Sequence, residues 1–134
     1  MTDENKNQII RNEIERAGKA MGAAVVLLEN GFLNDAVSKL YYYLYYHVRA
    51  LLLTKGIEAK KHEGALSLLG RHFVREGIVD AKASHVFSEL IKFRDESDCN
   101  PTHPFTRDEA AEFKKQAEHL AGAIKAYLKE KGRL

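Results

Sequence analysis

The chain has 134 residues, 45% of them apolar and 30% charged, with two prolines, one cysteine and no tryptophan. A chain of that length buries roughly two-thirds of the surface it exposes when unfolded, so residues 1–134 are expected to form one domain without staples. Basic side chains number 21 and acidic ones 19, a net charge of +2 that argues against a globally basic DNA-binding domain and leaves room for a local patch.

The lone Cys99 excludes an intramolecular disulfide framework. Together with a polar start, Met1 to Asn7, it points to the cytoplasm. The most apolar stretch, Leu40 to Leu53, is interrupted by His47 and Arg49. It is shorter than the roughly 18 apolar residues a membrane-spanning helix needs, so no membrane association is expected.

Three glycine–apolar pairs punctuate the chain: Gly31-Phe32, Gly56-Ile57 and Gly77-Ile78. Each follows a stretch of helical periodicity, the mark of a helix stop with glycine in the left-handed position and the next residue folding back. The implied contacts are Phe32 on Leu27, Ile57 on Leu52 and Ile78 on Phe73.

The first segment, about Glu4 to Asn30, sets Ile10, Ile14, Ala17, Met21, Ala24 and Leu28 at alternating steps of four and three, as in a near-parallel bundle. The second, about Leu33 to Lys55, is apolar around most of its circumference and is expected to be central. A shorter third segment, about Glu63 to Glu76, aligns Leu66, Leu69 and Phe73. The fourth, about Asp80 to Ser97, carries Val86, Phe87, Leu90, Ile91 and Phe93.

Next comes a loop with two prolines, Pro101 and Pro104, which favour extended backbone at Asn100 and His103. Thr106 and Glu109 are spaced as a capping box that opens the last helix, with Phe113, Ala117, Leu120, Ile124 and Tyr127 along one face. No stretch alternates as a strand would. The fold class is all-α: an antiparallel up-and-down bundle of four long helices and one short helix.

Several groups of residues bear on chemistry. Tyr41, Tyr42, Tyr43, Tyr45 and Tyr46 fill nearly two turns, so they cannot all face one way. They fit either packing, with hydroxyls at the core edge, or a platform for stacking a base. Of the six histidines, none is spaced for a specific metal site, so no metal and no cofactor are expected. Arg94 and Asp98 are four apart and share a helical face. They either form an ordinary surface pair or organise a site at the open end of the bundle.

Three stretches together resemble the HEPN domain family. Residues Ala36 to Leu52, with Tyr41-Tyr42 and then Arg49-Ala50-Leu51-Leu52, are similar to its second helix. Gly56 to His62, followed by Gly64, resembles the segment where a basic residue, histidine and glycine lead into a short helix. Arg94 to Asp98 lies where the family carries an arginine followed four residues later by aspartate and usually tyrosine, and Cys99 stands in that tyrosine's place.

The resemblance covers residues 10 to 130. It implies a five-helix bundle that forms a homodimer, often encoded beside a minimal nucleotidyltransferase in a toxin–antitoxin-like pair. Many members are metal-independent ribonucleases with an R-x(4–6)-H motif. Here the sequence departs, because His103 follows Arg94 by nine residues. Metal-independent RNA cleavage needs a base for the 2′-hydroxyl proton and a cation for the phosphorane at fixed separation.

The favoured reading is therefore a non-catalytic module that binds nucleotide or RNA, or serves a nucleotidyltransferase partner, with Arg94, Asp98, Tyr42 and His62 lining its face. The alternative is a ribonuclease with Arg94 steadying the phosphate and His103 as general base. A homodimer is expected on a second ground, that the second helix has more apolar surface than one chain covers.

Overall fold

A computed structural model describes residues 2–99 and 104–134, without the side chains of residues 62–63 and 95–99. Among the described residues five α-helices follow in order: α1 (Asp3–Glu29), α2 (Leu33–Leu53), α3 (His62–Leu69), α4 (Ala81–Cys99) and α5 (Arg107–Glu130). Among the described residues there is no strand. No described helix is long and apolar enough to cross a membrane.

The three glycine stops act as the sequence predicts. Gly31, Gly56 and Gly77 have φ of 79°, 72° and 76°. The amide of each following residue reaches back to the carbonyl five positions earlier: Phe32 to Leu27 at 2.9 Å, Ile57 to Leu52 at 3.1 Å and Ile78 to Phe73 at 2.9 Å. These bonds satisfy carbonyls that a helix end otherwise leaves open. Phe32 departs from the expected fold-back in one respect, since 57% of it stays exposed. The capping box at α5 is complete, with Thr106 Oγ1 accepting from the Glu109 amide at 3.1 Å and Glu109 Oε1 accepting from the Thr106 amide at 2.9 Å.

The third segment differs from expectation. Instead of one helix to Glu76, α3 ends at Leu69 and a π-helical turn, Gly70–Val74, follows. That wider turn keeps Phe73 in the core, with Tyr127 edge-on at 6.1 Å. It also presents the His72 carbonyl to Lys55 Nζ at 2.8 Å.

Helix α2 is central, packed by α1, α4 and α5. Residues Glu13 and Arg16 of α1 meet Arg49 and Tyr46 of α2, so those two helices run antiparallel. Val37, Leu40, Tyr41, Leu44, Val48, Leu51 and Leu52 are all fully buried within the single chain. Helices α4 and α5 cover most of what α1 leaves of α2, and Leu33, Tyr42, Tyr45 and Tyr46 stay partly exposed.

Candidate functional site

The tyrosine run divides between packing and surface. Tyr41 is fully buried and stacks on Phe87, with ring centroids 6.0 Å apart and planes within 6°. Tyr45 also stacks on Tyr41, with centroids 5.7 Å apart and planes within 15°. Tyr43 is nearly buried. Tyr42 and Tyr46, one helical turn apart, remain half-exposed at 6.2 Å from each other. The packing reading thus holds for Tyr41 and Tyr43, while Tyr42 and Tyr46 stay partly exposed.

Arg94 comes to this run from the far end of α4. Its Nη2 donates to the Tyr42 hydroxyl at 2.9 Å, and its guanidinium carbon lies 5.3 Å from the ring centres of both Tyr41 and Tyr42. The side chain is half-buried. Its position follows from its neighbour in sequence. Phe93 packs edge-on against Phe105 at 5.2 Å and Phe113 at 5.3 Å, pinning the last turns of α4 to α5. Residues 93 and 94 point about 100° apart on a helix, so anchoring one aims the other at α2. A planar guanidinium held by a hydroxyl and two ring faces loses little further freedom when it binds an anion. Lys39 adds a second cation, 6.0 Å from the Tyr42 ring centre.

Of the residues singled out from sequence, the fold thus brings Arg94 and Tyr42 together. Asp98 lies four residues further along α4, which keeps the helical spacing, but its side chain lies outside the described residues. The same holds for His62, the first residue of α3. His103 lies outside the described residues altogether.

One titratable group sits inside the bundle, away from this site. His47 on α2 is fully buried. Its Nδ1 is 2.8 Å from the Tyr43 carbonyl, which can only accept, so Nδ1 carries the proton. Nε2 is then a buried lone pair with no hydrogen-bond partner among the described residues. Burial lowers the His47 pKa to about 4, against the pull of the Tyr43 carbonyl and with some help from Lys125.

Comparison with known proteins agrees with this architecture. The HEPN domain model matches residues 10–132. The chain belongs to the HEPN domain family. Among its relatives is the Methanocaldococcus jannaschii protein named "Putative toxin MJ0605", 35% identical over 128 residues that make up 92% of this chain and 95% of that one. A UPF0332 protein of Thermotoga maritima is 31% identical over 125 residues, 93% of this chain and 95% of its own. "Putative toxin MJ0142", also from M. jannaschii, is 32% identical over 115 residues, 86% of this chain and 78% of its own.

Proposed function

We propose that this HEPN protein is a toxin-type module that binds RNA or a nucleotide at the Arg94–Tyr42 corner without cleaving it. It works in the cytoplasm as a homodimer of one-domain chains, paired with a minimal nucleotidyltransferase in a two-component system. The observation that carries the binding reading is the guanidinium of Arg94, half-buried, fixed by the Tyr42 hydroxyl at 2.9 Å and seated against two rings. Pre-set geometry of this kind suits bidentate contact with phosphate oxygens. The toxin part is supported by the names of two relatives. The absence of cleavage is supported by the nine-residue interval from Arg94 to His103, outside the family's R-x(4–6)-H spacing.

The test is to incubate the purified protein with total RNA in EDTA, beside Arg94→Ala, and to measure binding of labelled RNA by both. Intact RNA and binding that Arg94→Ala weakens at least tenfold are expected. Cleavage that disappears in both Arg94→Ala and His103→Ala would make the protein a ribonuclease. Equal binding by the variant would show Arg94 to be structural. Failure to co-purify with a nucleotidyltransferase encoded beside it would remove the two-component assignment, and a monomeric mass by light scattering would remove the dimer.

A further inference from the structure

Beside the Arg94–Tyr42 corner, the seam between α1 and α2 carries two clefts, of about 460 and 390 Å³, together termed the groove. An arginine–tyrosine pair lines each cleft. Arg16 lies 4.3 Å above the Tyr46 ring, and Arg49 lies 5.6 Å from the Tyr45 ring. Lys19 and Lys39, both exposed, line the end nearer Tyr42. From Lys39 to Arg49 the α2 side of this stripe extends about 15 Å at ~1.5 Å per residue.

Glu13 fixes the two arginines. Its Oε1 accepts from Arg16 Nη1 at 3.1 Å, while Oε2 lies 3.7 Å from Arg49 Nη1. Glu13 is 7% exposed, and its Oε2 has no hydrogen bond among the described residues. Burying a carboxylate with one oxygen unsatisfied is costly. The arrangement makes sense if what matters is holding both guanidiniums in place, each backed by a ring and 52% and 36% exposed respectively.

We propose that the α1–α2 groove binds one extended strand of single-stranded RNA, with bases stacked on the Arg16–Tyr46 and Arg49–Tyr45 pairs and phosphates held by Lys19, Lys39 and the arginine edges. This rests on the RNA reading given above and extends it, because Tyr42 is shared by the groove and the Arg94 corner. A guanidinium seated on a tyrosine offers a flat face to an unstacked base and N–H donors at its rim to phosphate. Paired bases in a duplex have no free face to offer such stacks. A second copy of the same surface would set like charge against like.

The test measures fluorescence anisotropy of a labelled single-stranded oligoribonucleotide, and of the same sequence as a duplex, across a range of potassium chloride concentrations. The single strand is expected to bind at least tenfold tighter than the duplex. Lys19→Gln/Lys39→Gln, which leaves the partners of Glu13 intact, should reduce the salt slope by about 1.4, at ~0.7 for each single-strand phosphate that a lysine no longer neutralises. Tyr46→Leu should weaken binding about fivefold or more with the slope unchanged, since it removes stacking and no charge.

Circular dichroism and thermal melting check that each variant is folded, and Lys114→Gln on α5 is the control with unchanged affinity. Equal affinity for duplex and single strand would overturn the proposal. So would groove variants that bind as the unmodified chain does while Arg94→Ala fails to bind, an outcome that leaves the RNA reading standing. If the unmodified protein binds no RNA, both fall together.

Discussion

His47 gives the bundle an acid limit that can be worked out from one side chain. In the unfolded chain an imidazole protonates near pH 6.5, whereas in the bundle this one resists until about pH 4. Below pH 6.5 the unfolded state therefore binds a proton that the folded state refuses. The contribution of His47 is fully present above pH 6.5 and is lost progressively as the pH falls toward 4. At ~1.36 kcal/mol per pKa unit the loss amounts to about 3 kcal/mol, a large share of the ~5–15 kcal/mol that keeps a typical domain folded.

Burial is the main cause, so an apolar residue of similar size removes the effect. His47→Leu also removes the unpartnered Nε2, and the Tyr43 carbonyl keeps its place as an acceptor within the helix. The variant is expected to match or exceed the parent in stability at neutral pH. Urea midpoints measured at intervals between pH 4 and pH 7 give the comparison, with carboxylate titrations common to both chains cancelling in the difference. The two stability curves should diverge below pH 6.5, with the parent falling more steeply by close to one proton. Parallel curves over that whole range would show that His47 is protonated in the bundle or reached by water, and the reasoning would fail.

Two glycine-to-alanine substitutions should have opposite signs. Gly77 has φ of 76° with nothing within 4 Å of an added Cβ, so Gly77→Ala isolates the conformational cost and should destabilise by about 1 kcal/mol. Gly18 is exposed in mid-helix, also with open space, and Gly18→Ala should stabilise by about 0.5–1 kcal/mol, both read from urea midpoints. Thr106→Ala, which breaks the capping box of α5, should cost about 1 kcal/mol and lower the melting temperature by several degrees.

The fold was legible because its signals are local. A glycine with positive φ and an apolar follower closes a helix with bonds reaching back five residues, and a capping box needs four. Spacings of three and four then say which face is buried: Ile10, Ala17 and Ala24 of α1 are fully buried. The composition of α2 does not by itself lead to a subunit interface. An apolar circumference shows only that a helix is covered, and here α1, α4 and α5 do the covering. The π turn after Leu69 was likewise hidden, and Phe73, which it carries, meets Tyr127 from 54 residues away in sequence.

The candidate site was legible only in part, for a related reason. Arg94 stood out beside Phe93 and Asp98, and Tyr42 stood out within its run, but their 2.9 Å bond spans 52 residues. Glu13, Arg16 and Lys19 belong to no motif, and Lys39 enters only within the longer stretch Ala36 to Leu52. On α1, Glu13 and Arg16 read as an ordinary surface pair three residues apart, worth a few tenths of a kcal/mol. They become something else when α2 lies antiparallel and brings Tyr46 and Arg49 opposite. The burial of Glu13 and the seating of Arg16 on a ring arise from that juxtaposition. A single sequence encodes the groove as two unremarkable stripes on separate helices, and only the register between those helices makes it a candidate site.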